Sequence, residues 1–191
     1  MSAITALDLR FSVYFLRYFV LKGYAAGPYH DQAGGGSNFL CLPEVPQWKN
    51  YMSSHEPSGT IVGVEYEFHR MGPTTNDIFN EVNGAHSDRL GVCAFCYVQG
   101  RSTVAMIPAR TQCPDGWTIE YAGYLATAYS HPTGGHRRSS YMCWSEDLEI
   151  ALLGGINENQ GRIYPVEVHC GALPCDVYYD LRELACIVCS K

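Results

Sequence analysis

Short runs in which apolar and polar residues alternate recur along the chain, separated by turns rich in Gly, Pro and Asn. In VGVEYEF, residues 62–68, every second side chain is large and apolar, which is the period of a half-buried strand. Eight runs predict strands: 37–42, 60–68, 91–98, 102–109, 118–126, 140–144, 161–170 and 184–189. Helical periodicity is weak, and its best candidate is SEDLEIALL, residues 145–153, with a Ser N-cap and early acidic residues. The pattern predicts an all-β or β-dominated fold.

The first 22 residues form an atypical N-terminal segment. FSVYFLRYFVL, residues 11–21, is apolar enough for the core of a signal peptide, but Arg17 interrupts it. Asp8 stands where a signal peptide carries positive charge. Two interpretations therefore stay open for residues 1–22, a signal-like leader and a β-strand.

A repeated motif divides the remainder, residues 23–191, into two similar halves of one compact domain. GYAAGPYHDQAGGGSNFLC, residues 23–41, recurs as GYLATAYSHPTGGHRRSSYMC, residues 123–143. In each copy a glutamate follows the final cysteine by 24 residues, Glu65 after Cys41 and Glu167 after Cys143. Both copies then end on a C-x-x-C, so we predict an internal duplication with repeats at about 23–98 and 113–191. The polar stretch 69–88 of the first copy predicts a surface loop.

Composition narrows the class of protein. Apolar residues make up 47% and charged residues 17%, as in a folded domain, and no apolar run is long enough for a membrane span. The net charge of −6, with only three lysines, argues against nucleic acid as a partner. Nine cysteines are typical of a secreted protein in an oxidising compartment, and the odd count leaves at least one outside intrachain disulfides.

Five motifs in order resemble a known family: GGGSNFLCLPE (34–44), GVEYEF (63–68), MIPARTQCPDGWTIEYAGYL (106–125), VEVHCGALPC (166–175) and RELACIVCSK (182–191). They are similar to the C-terminal globular domain of invertebrate spongin-like short-chain collagens and of related uncharacterised secreted proteins. The resemblance covers roughly residues 19–191, whereas residues 1–18 depart from the family pattern. Because the chain has no Gly-X-Y tract, no collagen triple helix is predicted for it.

The order of the six cysteines in the second half is also similar to that of the duplicated non-collagenous domain of type IV collagen. If this pattern carries over, the resemblance implies three disulfides in the second half and one in the first: Cys113–Cys189, Cys143–Cys186, Cys170–Cys175 and Cys41–Cys93. It leaves Cys96 as a thiol, because the position equivalent to Cys113 in the first half is Val13.

The two C-x-x-C motifs have other interpretations. Cys93, Cys96, Cys186 and Cys189 could supply four thiolates to one zinc ion, although their separation exceeds that of ordinary zinc ribbons. A redox pair needs its C-x-x-C at a helix N-terminus. Both pairs instead lie in strand-like surroundings, so we favour structural disulfides and expect neither a metal nor a cofactor.

No catalytic motif is found, and we expect no enzyme. His30, His69, His86, His131 and His169 are scattered along the sequence. A Cys–His nucleophilic pair would compete with the disulfides for cysteines. The equivalent Glu65 and Glu167 could act as paired carboxylates on a glycoside, but a glutamate in an alternating strand ordinarily faces water.

Two binding alternatives concern loops and aromatic rings. GGINENQGR, residues 154–162, could offer oxygen ligands to calcium, and a hairpin turn explains the same residues. Six aromatic residues are candidates either for sugar-stacking platforms or for core and interface packing: Tyr24, Tyr29, Trp48, Tyr124, Tyr129 and Trp144.

The sequence and the resemblance together predict a secreted, non-enzymatic extracellular domain that serves matrix assembly or protein association. Its expected partners are extracellular proteins, including further copies of this chain. A carbohydrate-binding module with a glycan partner is the alternative function.

Overall fold

The computed structural model describes residues 3–6, 17–50, 58–67, 86–130 and 134–191. Val13, His69, His131 and most of the predicted loop at 69–88 lie outside these ranges. Over the described ranges the protein is all-β, without a helix. The all-β fold predicted from the alternating pattern is therefore confirmed.

The described part of the chain contains ten strands: β1 Ala3–Ala6, β2 Arg17–Gly27, β3 Leu40–Pro43, β4 Val62–Tyr66, β5 Val92–Val98, β6 Val104–Pro108, β7 Thr118–Thr127, β8 Met142–Ser145, β9 Gly161–Pro165 and β10 Ala185–Ser190. They form one sheet in the order β1-β5-β2-β4-β9-β7-β10-β6, with β3 added to β2 and β8 added to β7. Each of the eight predicted strand regions overlaps one of these strands, with ends that differ by a few residues. None of the eight runs covers β1 or β2, although the strand interpretation left open for residues 1–22 includes β1 and the beginning of β2 at Arg17.

The sheet has two sides along its strand order, the first formed by β1–β5 and the second by β6–β10. The long strand β2 is central to the first side, and the long strand β7 is central to the second. Along β2, Gly23 lies opposite Pro43 of β3 and Cys93 of β5. Along β7, Gly123 lies opposite Ser145 of β8 and Cys186 of β10. Each long strand therefore pairs with a short strand and with a strand that carries a C-x-x-C.

A bulge interrupts each of these long pairings. Phe19 and Leu21 lie opposite Cys96 and Phe95, so the β2–β5 register shifts around Val20. The β7–β10 register shifts in the same way around Glu120, where Ile119 and Tyr121 lie opposite Cys189 and Val188. A bulge adds a residue to one strand and increases the local twist.

The parallel pairing of β4 with β9 joins the two sides, with Val64 opposite Gly161 and Tyr66 opposite Ile163. The main core cluster crosses this junction. It combines Ala25, Cys41, Val64, Tyr66 and Cys93 from the first side with Ala126, Trp144, Leu148 and Ile163 from the second. The Tyr66 and Trp144 ring centroids are 4.8 Å apart, and the Tyr66 hydroxyl donates a 2.9 Å hydrogen bond to the Glu149 carbonyl. This core cluster therefore draws its residues from both sides of the sheet.

The helix predicted at 145–153 is wrong. Ser145 ends β8, and its Oγ accepts the Asp147 N–H at 3.2 Å, which is the bond of an N-cap. The chain then turns inward, because Ile150 forms a bridge with Gly91 and the Ala151 N–H donates to the Leu90 carbonyl. Pairing with the other side of the molecule thus overrides a weak helical signal.

Candidate functional site

Four disulfides hold the sheet: Cys41–Cys93, Cys113–Cys189, Cys143–Cys186 and Cys170–Cys175. They are the four pairs that the resemblance implied. Cys96 lies outside these bonds, in the interior of β5, and is partly exposed. Cys41–Cys93 links β3 to β5 and Cys143–Cys186 links β8 to β10, whereas Cys113–Cys189 links the segment between β6 and β7 to β10. Cys170–Cys175 closes a short loop.

Each repeated glycine lies beneath a disulfide-linked pair of strands. A Cβ added to Gly23 would overlap the Leu42 carbonyl oxygen and lie 2.9 Å from the Cys41 Sγ. A Cβ added to Gly123 would overlap the Trp144 carbonyl oxygen and lie 2.9 Å from the Glu146 nitrogen. The glycine of the repeated motif is thus explained in both copies by the close approach of a neighbouring backbone, and at Gly23 also by the disulfide sulfur of Cys41, which only glycine permits.

The disulfides argue against the zinc and redox interpretations of C-x-x-C. Cys93, Cys186 and Cys189 each bond to a cysteine outside their own motif, so they are not available as thiolates. Across the described ranges, no group of three or more His, Cys, Asp or Glu side chains is placed to hold a metal ion.

Glu65 and Glu167 occupy different environments. Glu167 is exposed and forms a bridge with Glu183. Glu65 is only 4% exposed, so the expectation that it faces water is wrong. Its Oε1 accepts the N–H of Glu158 at 2.8 Å, and its Oε2 accepts the N–H of Asn159 at 2.9 Å. These backbone bonds satisfy the buried carboxylate, and the structure does not bring the two glutamates together as a catalytic pair.

The loop at 154–162 is shaped to bind this carboxylate. Asn157 and Asn159 adopt left-handed φ angles of 56° and 58°, which Asn tolerates better than most residues. Consecutive N–H groups then point into one concavity, an anion-binding arrangement of backbone. The loop therefore turns N–H donors towards Glu65, the reverse of what a calcium site needs.

Among the described residues, two ion pairs are largely buried. Arg162 Nε lies 3.2 Å from Glu67 Oε1, next to the Glu65 contact. On the outer side of β7, the Arg101 guanidinium donates to Glu120 at 2.7 Å and to the Ser190 hydroxyl at 2.8 Å. Ser190 also donates to Glu120. Since Glu120 is the bulge residue of β7, this cluster holds the end of β10 to the bulge.

The aromatic candidates separate into core and surface. Trp144 is completely buried against Tyr66, whereas Trp48 is 77% exposed. The Tyr129 ring contacts His136 edge-on, with centroids 5.2 Å apart, and Tyr29 lines a surface cleft. Tyr24 and Tyr124 are half-buried.

His30, one of the histidines scattered along the sequence, lies next to His136, which the sequence analysis did not single out. The His30 and His136 ring centroids are 5.4 Å apart. His30 is fixed by backbone bonds to Gln160 and Arg137, and its Nδ1 lies 3.0 Å from the Gln160 carbonyl oxygen. His136 was missed because nothing in a single sequence predicts that the loops after β2 and β7 meet.

A second feature not predicted from the sequence is an exposed loop, residues 169–181, which we term the apolar loop. Its base is closed by reciprocal backbone bonds between Val168 and the residues at 181–182. Within it, the Cys170 N–H donates to the Asp180 carboxylate at 2.6 Å, and Cys170–Cys175 links its first part. Four large apolar side chains remain exposed: Leu173 (42%), Val177 (63%), Tyr179 (52%) and Leu181 (62%).

Two clefts lined by described residues are candidate ligand sites. The smaller, about 150 Å³, is mostly apolar, and its lining includes Phe39, Leu40, Tyr66, Tyr141 and Met142. The larger, about 270 Å³, lies between residues 28–35 and 58–60. Its lining side chains are small or polar apart from Tyr29 and Pro28.

The chain was compared with protein-family models and with solved structures, and neither comparison found a match. The described part of the chain contains no helix with the length and apolar character needed to cross a membrane.

Proposed function

We propose that this chain is a secreted, non-enzymatic extracellular domain for matrix assembly or protein association, related to the C-terminal domains of spongin-like short-chain collagens. The five motifs quoted above support the relationship. Four disulfides support the location, because such bonds persist in oxidising extracellular compartments.

The apolar loop is the observation that carries the proposed role in association. Exposure of four large apolar side chains to water is unfavourable, and packing them against a partner lowers the free energy of the system. The Cys170–Cys175 bond and the Asp180 contact restrict the loop before binding. A restricted loop loses less conformational entropy on association, so the same contact area yields higher affinity.

We also propose that the domain arose by duplication of one β unit. From the centre outward, the strand order is β4, β2, β5, β1 on one side and β9, β7, β10, β6 on the other. Opposite the repeated glycines lie the equivalent Cys93 and Cys186. The bridges Glu65–Leu90 and Glu167–Glu183 also fall at matching positions. Pairing at the same register, including the matching bulges, supports descent from one ancestor.

Sedimentation velocity over a series of protein concentrations tests the proposed association. We expect the average mass of the whole chain to rise with concentration, or an extracellular matrix protein added in purified form to co-sediment with it. Val177→Ser combined with Tyr179→Ser should abolish this association, because both exposed side chains belong to the apolar loop.

A matched control is Leu152→Ser combined with Leu153→Ser, since these leucines are 95% and 74% exposed but lie outside the apolar loop. The control should associate like the wild type. An equal loss in both double variants would assign the effect to general surface hydrophobicity. A chain that stays monomeric and binds no matrix protein would contradict the proposed function.

A further inference from the structure

The larger cleft is lined by neutral residues. Its wall includes Tyr29 and Gln32 on one side and Ser58 and Thr60 on the other. No charged side chain takes part in the lining. The cleft thus offers three hydroxyl groups and one amide, all of them neutral and able both to donate and to accept hydrogen bonds.

Within the described ranges, the fold does not use these polar side chains as hydrogen-bond partners. The hydroxyls of Thr127 and Ser139, in contrast, lie within hydrogen-bond distance of each other at 3.1 Å and make further bonds to backbone. None of the four cleft side chains forms a hydrogen bond with another described residue. Their hydrogen-bonding capacity therefore faces the cleft and its solvent, where a polar ligand can use it.

Two glycines, Gly34 and Gly35, form the rim of the cleft. Gly34 and Gly35 have φ angles of 87° and 77°, a left-handed conformation that favours glycine. A Cβ at Gly34 would meet no atom within 4 Å. The glycines therefore leave space above the backbone and let a ligand approach the rim closely.

Size and chemistry together identify a class of ligand. At about 270 Å³ the cleft lies just below the volumes of about 300–1,000 Å³ that hold drug-sized molecules, so it suits one small ring. The Tyr29 ring supplies an apolar surface beside the hydroxyls and the amide. A sugar has the same combination, with hydroxyls around its edge and an apolar C–H face.

We infer that this cleft binds a single neutral sugar residue, either free or at the end of a glycan. Asp31 lies next to the cleft in sequence and its side chain is 56% exposed, so its negative charge disfavours acidic sugars. The inference does not depend on the proposed association through the apolar loop, which is a different part of the surface.

Titration of the isotope-labelled whole chain, monitored by amide NMR, tests the inference with free neutral hexoses and with sialic and glucuronic acids as probes. We expect a neutral hexose to shift the amides of residues 29–35 and 58–60, and the acidic sugars to leave them unchanged. Thr60→Val and Gln32→Ala should each weaken binding about tenfold, the effect of losing about 1.4 kcal/mol. Thr103→Val is the matched control, because Thr103 is exposed outside the cleft, and it should bind as the wild type does.

An array of immobilised glycans separates the two sources of the ligand. Binding to arrayed neutral glycans that is lost in Thr60→Val supports the inference even if free hexoses fail, and it assigns the site to glycan ends. The inference is overturned if neither form of neutral sugar binds, if acidic sugars bind more tightly, or if binding survives in both cleft variants.

Discussion

The carboxylate of Glu65, in the first half of the chain, accepts the backbone N–H of Asn159, in the second half, at 2.9 Å. Its other oxygen accepts the N–H of Glu158 at 2.8 Å. Both bonds lie beside the parallel β4–β9 pair, where the two sides of the sheet meet. Glu65 therefore fastens the loop of one side to the central strand of the other.

Replacing Glu65 by Gln should destabilise the protein by about 2–3 kcal/mol, because hydrogen bonds to a charged group contribute about 1.5–3 kcal/mol. The Gln amide also directs an NH2 group at a backbone N–H, so one partly buried donor loses its acceptor. Urea unfolding with the disulfides intact measures the change. Glu167→Gln is the control, since this equivalent glutamate is exposed, and it should change stability by less than about 0.5 kcal/mol. Equal effects of the two substitutions would contradict the assigned role of Glu65.

Gly123→Ala should prevent correct folding, because the added methyl group would overlap the Trp144 carbonyl oxygen. Gly23→Ala should act in the same way through Leu42. Both obstacles are backbone atoms within paired strands, which cannot move without breaking the ladder. We expect most of the secreted or refolded protein to lack Cys143–Cys186 or Cys41–Cys93, as measured by non-reducing peptide mapping.

The control for the glycine substitutions is Gly36→Ala. A Cβ there meets no atom within 4 Å, and no left-handed φ is required. This variant should form all four disulfides and unfold like the wild type. If Gly123→Ala also formed all four disulfides in full yield, the close approach of the Trp144 carbonyl to Gly123 would not require glycine.

Strand positions could be predicted from the sequence because alternation records which face of a strand is buried. Alternation failed at Glu65, since a polar residue is buried when its partners are backbone N–H groups, and here those groups lie more than 90 residues away. The beginning of β2 was ambiguous because an apolar run with one arginine fits both a leader and a strand. The apolar loop, the clefts and the His30–His136 contact depend on how loops meet, and no local pattern records this.

Removing Cys143–Cys186 by replacing both residues with Ala should lower the free energy of unfolding by about 4 kcal/mol in the chain-entropy model, because the bond spans 43 residues. Removing Cys170–Cys175 in the same way should cost only about 2 kcal/mol, because that bond spans 5 residues. Denaturant unfolding measures both changes. The second variant should keep the fold but associate more weakly, since the apolar loop is then less restricted. Equal stability losses, or unchanged association, would contradict these expectations.

Tyr124 should make the protein less stable at alkaline pH. Burial raises the pKa of this phenol above its usual value of 10.0, and the negative charges of Glu146 and Glu183 raise it further. In the unfolded chain the phenol ionises near pH 10, so between this pH and the higher folded pKa only the unfolded state gains from losing the proton. The stabilising contribution is therefore complete below pH 10 and is lost as the pH rises through the folded pKa.

Tyr124→Phe should reduce the loss of stability above pH 10, as measured by urea unfolding at each pH, and should remove a late-titrating component from the tyrosinate absorbance. Tyr141→Phe is the control, since Tyr141 is 62% exposed, and it should leave the pH dependence unchanged. An identical alkaline profile for Tyr124→Phe and the wild type would contradict the raised pKa.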